Sequence, residues 1–297
     1  MARFKNFHQM TVSELERRFP TDAACREYLA ACRWPEGVRC PRCGNDQPYD
    51  VGEFRWQCHQ CHKQGYRFSV IAGTIFENTK YPLKTWFEVL WSMLNAKKGI
   101  SAMQIQRQIG AGSYKTAFYM CHRLRAGMQD AEFRKLMGIV EVDETYIGGK
   151  NKNRHRNKKT AGRGPAGKVT VLGAISRKGS VIARMVDDAE AETLKGFVRD
   201  VVSKQVELVA TDDAAAYQQL PAEGFTHESV NHSEHEYVRG IVHTGSIDNF
   251  WSLWKRGIMG SFHHVSKKYL PLYLNEFSFR YNNRHNDDMF GLLVESA

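Results

Sequence analysis

Ile139-Val-Glu-Val-Asp143 and Val206-Glu-Leu-Val-Ala-Thr211-Asp212 are two short apolar runs that each deliver an acid. β-branched residues dominate both, and runs of this length suit buried strands rather than helices. Between them the pattern gives strands at Val169 to Ile175 and Ser180 to Met185, then a helix from Ala189 to Val202. Beyond Ser246 the chain turns helical and rich in Trp, Phe and Leu. Strands interleaved with helices predict a mixed α/β core, a central sheet flanked by helices.

The acids suggest a chemistry. Asp143 and Asp212 stand at strand ends, Asp213 follows, and the helix from Ser246 carries Asp248 in Ser-Ile-Asp248-Asn249-Phe-Trp. Phosphodiester hydrolysis and strand transfer use two Mg²⁺ ions about 4 Å apart, one for the nucleophile and one for the leaving oxygen. Hard carboxylate oxygens suit Mg²⁺, and aspartates on adjacent strands can bridge such ions. Lys255 lies two helical turns after Asp248, where it can meet a phosphate. Acids are common, so the bland alternative is kept in view. Asp187-Asp188, for example, reads more simply as a cap for the following helix.

The 297 residues allow one small and one larger domain. A net charge of +10 suits a polyanionic partner such as nucleic acid, although a merely basic protein has the same excess. Met1 to His8 contains no apolar segment of the signal-peptide kind, and no apolar run approaches the roughly 20 residues of a membrane span. The expectation is a cytoplasmic, nucleoid-associated protein without a membrane partner. Seven cysteines are an awkward set for a disulfide scaffold and point to metal instead.

Cys40-Pro-Arg-Cys43 and Cys58-His-Gln-Cys61 are two knuckles fourteen residues apart. That spacing predicts a structural Zn²⁺ held by four thiolates, in a ribbon over residues 38–72 with a strand pair that includes Phe54-Arg-Trp56. His59 and His62 are superfluous to a site already closed by four cysteines, and a redox role is the weaker alternative. Cys25, Cys32 and Cys121 read as core. Arg39, Arg42, Arg55, Lys63 and Arg67 incline the ribbon to DNA, with a protein contact or a pure scaffold as alternatives. Before the ribbon, residues 1–37 form a helical lead-in, with a helix from Thr21-Asp22 through Cys25, Tyr28, Leu29 and Cys32.

From Lys84 to Lys135 the spacing is helical, broken at Lys98-Gly99 and Gly110-Ala-Gly112. Trp86, Phe87, Leu90, Trp91 and Leu94 mark one buried face. Ser101 caps a short helix, the glycines make a turn, and Ser113 opens a helix with Tyr114, Lys115, Arg123 and Arg125. This is the helix-turn-helix layout, and residues 80–135 read as a DNA-binding connector, with an ordinary helical bundle as the alternative.

Val-Asp143-Glu-Thr-Tyr-Ile-Gly-Gly, Thr-Asp212-Asp, His243-Thr-Gly-Ser-Ile-Asp-Asn-Phe-Trp-Ser, Lys255-Arg-Gly-Ile-Met-Gly-Ser-Phe-His-His-Val-Ser and Leu-Asn-Glu-Phe-Ser-Phe-Arg-Tyr-Asn-Asn-Arg284 resemble the insertion-sequence transposases of the ISXO type. The resemblance spans nearly the whole chain, since that family also begins with a zinc ribbon. It implies a ribonuclease-H-like fold over residues 138–297 and DDE-type chemistry with Mg²⁺ or Mn²⁺. By position, Asp143 and Asp212 are the first two catalytic, metal-binding carboxylates. For the third, the family pattern has Glu before Asn-Phe-Trp, where this sequence has Asp248. Asn249 is the alternative ligand, because some relatives use Asn. The resemblance further implies DNA partners, namely the element's terminal repeats and target DNA, and a homodimer or larger assembly on paired ends.

Residues 148–168 carry Lys150, Lys152, Arg154, Arg156, Lys158, Lys159 and Arg163 with no acid. They read as a DNA-binding arm that orders on its partner, with a solvated charge run as the alternative. Arg256, His243 and His264 are candidates to position DNA near the acids; His227, His232, His235 and His263 fit no zinc spacing. The function expected is end binding, metal-dependent DNA cleavage and strand transfer. The rivals are a ribonuclease-H-fold nuclease or resolvase, and an inactive transposase-derived DNA-binding protein.

Overall fold

The computed structural model describes residues 10–129, 134–148, 167–212, 216–230 and 238–296. The chain divides into two compact units, Met1–Gln129 with Asn283–Ala297, and Asp130–Asn282.

In the first unit, Thr11 and Glu14 form a reciprocal capping box that starts α1 (Val12–Arg18), and Thr21 caps α2 (Asp22–Arg33). Three antiparallel strands follow: β1 (Tyr49–Gly52), β2 (Arg55–Cys58) and β3 (Tyr66–Ser69). The ribbon therefore has a third strand beyond the expected pair, and Phe54 lies in the β1–β2 turn at φ 58° rather than in a strand. Trp56 stacks on Phe68 across β2 and β3, and Trp34 meets it edge-on.

Helices α3 (Leu83–Asn95), α4 (Ala102–Ile109) and α5 (Tyr114–Gly127) follow. Ser101 caps α4, Gly110 ends it in the left-handed conformation at φ 63°, and Ser113 caps α5. This is a helix-turn-helix-like connector, in which α5 exposes Tyr114, Lys115 and Tyr119. Helix α5 stops at Gly127, short of the expected Lys135. Two of its arginines are also drawn into structure. Arg125 is buried, and Arg123 donates to the Glu77 carbonyl at 2.8 Å.

The last helix, α9 (Met289–Glu295), belongs to this unit, so the stretch 283–297 parts from the expected domain 138–297. The reason is aromatic: Phe290 lies 5.5 Å from Phe19 and 5.2 Å from Phe87, ring to ring, and buries among them.

The second unit is a five-stranded sheet ordered β6-β5-β4-β7-β8. Its strands are β4 (Ile139–Ile147), β5 (Val169–Ser176), β6 (Val181–Val186), β7 (Leu208–Asp212) and β8 (His227–Val230). The first three form an antiparallel meander, and β7 and β8 add in parallel on the other side of β4. Helix α6 (Ala191–Val201) covers one face, packing on Val140, Val142, Leu172 and Ala174. Helices α7 (Gly245–Gly257) and α8 (Leu270–Asn282) cover the other, where Phe250, Trp251 and Trp254 meet Val171 and Ile175. A mixed sheet of this order with helices on both faces is the ribonuclease-H-like fold. Helix α7 continues into a π-helical turn, Ile258–Phe262, and the side-chain amide of Asn282 of α8 clamps Val181 of β6, accepting from its N–H at 2.7 Å and donating to its carbonyl at 3.0 Å.

Candidate functional site

A cysteine cluster and a group of acids are distinct. In the ribbon, the sulfurs of Cys40 and Cys61 lie 3.8 Å apart and those of Cys43 and Cys58 3.6 Å, with all four within 4.8 Å of one another. Tetrahedral Zn²⁺ at about 2.3 Å from each sulfur sets sulfurs about 3.8 Å apart, so the four thiols fit structural zinc. Burial works to raise the Cys58 thiol, yet the amides of Cys61 and Gln60 bring it down to about 6. Burial and the neighbouring thiols push Cys61 up to about 12, a cost that a cation between them removes. Among the described residues, this is the cluster of three or more metal-type ligands drawn in to such spacing, and His59 and His62 stand outside it.

The second site is built on the central strand. Along β4 the alternation sends Val140 and Val142 to the α6 face and Glu141, Asp143 and Thr145 to the α7 face. Strand β4 runs to Ile147, so Asp143 sits inside it rather than at its end, as the sequence suggested. Its neighbour ends instead: β7 pairs in parallel with β4 through Glu141↔Ala210, and Asp212 closes β7. Carried on by two residues, this register sets Asp212 beside Asp143, where the parallel strands stop pairing. That crevice at the carboxyl ends of parallel strands is where α/β sheets place ligands.

Asp248 arrives from the other direction, in the first turn of α7. It is exposed, and its Oδ2 accepts a hydrogen bond from the Thr244 hydroxyl at 3.2 Å. Burial, then the negative charges of Glu144, Asp212 and Asp248, raise the Asp143 carboxyl to about 7. Asp143 thus feels the charges of Asp212 and Asp248, although among the described residues the three carboxylates are not drawn in to the ligand spacing seen in the cysteine cluster. Glu144 turns to the opposite face, where it accepts from the buried Tyr217 hydroxyl at 3.0 Å.

The approach of α7 has a visible cause. Gly173 faces Asp143 across the β4–β5 ladder, and a Cβ there would fall 2.4 Å from Trp251 Cζ2 and 3.0 Å from Ile247 Cδ1. The missing side chain lets the helix settle onto the sheet. Its start is held by Glu141, which is fully buried and accepts from the Ser246 and Ile247 amides at 2.7 and 3.0 Å. Neither Gly173 nor Glu141 is among the sequence candidates. The signal for Glu141 was present, since period-2 alternation puts it on the Asp143 face.

The remaining candidates divide clearly. Asn249, Lys255 and Arg256 are exposed on α7, and Arg256 donates to the Ser252 carbonyl of its own helix. His264 is exposed after His263, whose φ of 59° marks a tight turn. His243 is engaged beside Glu141, at 3.3 Å, and accepts from the Gly245 amide. His227 bonds Thr211 at 2.8 Å inside the sheet. Asp188 accepts from the Glu190 amide and Thr193 hydroxyl ahead of α6, but the N-cap is Glu190, without a side-chain capping bond, so the cap expected of Asp187-Asp188 is not made. Lys150, Lys152, Arg154, Arg156, Lys158, Lys159 and Arg163 of the basic insertion lie outside the described residues, as do Asp213, His232 and His235. Among the described residues no helix is long and apolar enough to cross a membrane.

A sequence model of the ISXO2-like transposase domain matches residues 135–282, and one of a transposase zinc-ribbon domain matches residues 20–64. An uncharacterized protein in transposable element ISH50 of Halobacterium salinarum is 29% identical over 275 residues, 89% of this chain and 92% of the relative. Among solved structures, the Mos1 strand transfer complex aligns at 10% identity and a TM-score of 0.32, over 70% of this chain and 73% of that one. The simian T-cell lymphotropic virus intasome in complex with PP2A regulatory subunit B56 gamma aligns at 11% identity and a TM-score of 0.32. That match covers 60% of this chain and 63%, under two thirds, of the other. Zinc ribbon in front and DDE domain behind, both matched by sequence, the chain belongs to the ISXO2-like transposases.

Proposed function

We propose that this protein binds the ends of its insertion element, cuts them in a metal-dependent reaction and joins the freed 3′ ends to target DNA. What supports the reading is the placement of Asp143 on β4 and of Asp212 at the end of the adjacent parallel strand β7, with the charge of Asp248 on α7 near enough to act on Asp143, inside the segment matched by the transposase domain. Asp143, Asp212 and Asp248 would hold divalent Mg²⁺ or Mn²⁺, with Asn249 as the alternative third ligand. Such ions, when bound, activate the attacking oxygen and stabilise the leaving one.

The chain's own residues then bind and orient. Lys255 and Arg256, exposed on α7 past Asp248, face a phosphodiester backbone with fixed positive charge. His264 and the insertion's Lys150, Lys152, Arg154, Arg156, Lys158, Lys159 and Arg163 add phosphate contacts. The exposed Tyr114, Lys115 and Tyr119 of α5 are the groups offered to the terminal repeats. In the first step a water oxygen bonds to phosphorus, the P–O3′ bond breaks, and a 3′-hydroxyl and a 5′-phosphate result. In the second, that 3′-oxygen bonds to a target phosphorus, its proton leaves to solvent and a target P–O3′ bond breaks. Both steps are in-line displacements, so one site serves both, and two copies or more would hold the paired ends.

The test is a Mn²⁺- or Mg²⁺-dependent reaction of the full chain with DNA from both flanks of its gene, with Asp143→Asn alongside. Joined products that vanish in the variant support the reading. Cleavage without joining would favour a nuclease, and specific binding without cleavage a copy reduced to DNA binding.

A further inference from the structure

Glu141 is a fully buried carboxylate that accepts four hydrogen bonds, and the reaction outlined above does not use it. Its Oε2 takes the Ser246 and Ile247 amides, and its Oε1 takes the Ser246 hydroxyl at 2.9 Å and Arg177 Nε at 2.8 Å. Arg177 also donates to the carbonyls of Ile241 and His243, at 2.6 and 3.1 Å. One strand residue and one arginine thereby fasten the whole lead-in of α7, from Ile241 to Ile247.

A helix ordinarily begins on its own cap. A Ser or Thr at the N-cap accepts a first-turn amide and leaves no need for a buried charge from another element. Thr244 occupies that position in α7, yet its side chain accepts no capping bond. Glu141 has taken the amides, and the Thr244 hydroxyl, itself buried, donates to Asp248 Oδ2 instead. Burying a carboxylate is costly unless it is paired and fully hydrogen-bonded, and a local cap would hold the helix end without that cost. What the borrowed cap adds is registration. Glu141 stands two residues before Asp143 on the same face of β4, so the strand of the first acid fixes the helix of the third.

We propose that Glu141 and Thr244 are positioning residues: Glu141 caps α7 from β4, and the Thr244 hydroxyl, which makes no capping bond, aims the Asp248 carboxylate at the site. The inference rests on the catalytic reading only for its consequence; the borrowed cap itself is a statement about α7. It also bears on the third position, since a shorter Asp held by a hydrogen bond has its reach set by Thr244.

The experiment compares Glu141→Gln, Thr244→Val and Thr244→Ser in the full chain. Three quantities are measured: hydrogen exchange of residues 243–249, Mn²⁺ binding by titration calorimetry, and single-turnover end cleavage. Glu141→Gln is expected to speed exchange at the start of α7 by more than about tenfold, with protection of β5 and α6 intact. It should weaken Mn²⁺ binding and slow cleavage by roughly 10- to 100-fold, the range for groups that orient ligands. Thr244→Val should lower Mn²⁺ affinity and cleavage with the exchange of α7 unchanged, and Thr244→Ser should restore both. Unchanged exchange in Glu141→Gln, or Thr244→Val equal to wild type in Mn²⁺ binding, overturns the proposal. Should Glu141→Gln not fold, the Thr244 pair decides alone. Absence of cleavage in the wild type would refute the catalytic reading, while exchange and Mn²⁺ binding still decide this one.

Discussion

Trp251 occupies the space that a side chain on Gly173 would need. The built Cβ meets Trp251 Cζ2 at 2.4 Å and Cη2 at 2.7 Å, and both are parts of a rigid ring in a packed core. Gly173→Ala is therefore expected to push α7 off the sheet. Overpacking of this kind costs about 1–3 kcal/mol. The expected result is a lower urea midpoint for the second unit and loss of cleavage, with zinc content unchanged. Trp251→Phe in the same chain should recover part of the stability. An alanine variant as stable and active as wild type would show that α7 is not held this closely.

The third carboxylate is the next test. Asp248 and Asn249 are adjacent and both exposed at the start of α7, but they point about 100° apart around the helix. Only Asp248 has its oxygen tied down, by Thr244. Asp248→Ala is expected to abolish Mn²⁺-dependent cleavage, and Asn249→Ala to lower it less than about tenfold. The reverse order would move the ligand to Asn249. Asp248→Glu tests reach: one more methylene should be tolerated only if the Thr244 bond is not what sets the geometry.

Much of this fold is legible in the sequence because its signals are local. Cys40, Cys43, Cys58 and Cys61 announce themselves by spacing, and Ser101, Gly110 and Ser113 mark helix ends by conformational need alone. The strands carrying Asp143 and Asp212 follow from their β-branched runs. What escapes is decided by distant partners. Glu141 reads as an ordinary acid until Ser246 and Arg177 are folded onto it, and Gly173 reads as a weak strand residue until Trp251 arrives. The docking of Phe290 among Phe19 and Phe87 joins residues at opposite ends of the chain, which no periodicity encodes.

Zinc removal should unfold the ribbon and spare the sheet of the second unit. The ribbon has few buried apolar residues, chiefly Trp56 and Phe68, and cannot offset its chain entropy without the metal. Treatment with a strong chelator, or Cys43→Ser, is expected to release one zinc per chain and expose residues 40–69 to protease. The sheet of the second unit should keep its hydrogen-exchange protection. Loss of that protection together with the zinc would mean that the sheet depends on the ribbon, contrary to its separate core.

His227 supplies a pH-dependent stability. Burial lowers its pKa, so the folded chain holds it neutral, bonded to Thr211. Unfolded histidine takes up a proton near pH 6.5. Stability is thus lost as pH falls below about 6.5 and levels once the folded pKa is passed. Asp143, raised to about 7, acts in the opposite sense over the same range, because its folded form binds the proton first. The difference between wild type and His227→Gln cancels the aspartate. The wild type should lose more stability than the variant between pH 7.5 and 5.5, measured by urea midpoints, and equal losses would place His227 in water.

The basic insertion is tested by salt rather than by structure. Residues 151–163 contain six cations, Lys152, Arg154, Arg156, Lys158, Lys159 and Arg163. Each phosphate neutralised contributes about 0.9 to the slope of log affinity against log salt. If all six engage the duplex, deleting 151–163 reduces that slope by about 5 and weakens binding most at low salt. If they form only a solvated run, the slope stays as it was. Because the deletion leaves Asp143, Asp212 and α7 in place, cleavage of a DNA end supplied at saturating concentration should survive it. A deletion variant that binds with the wild-type slope would remove the insertion from the DNA interface and leave α5 and the 255–264 segment to carry it.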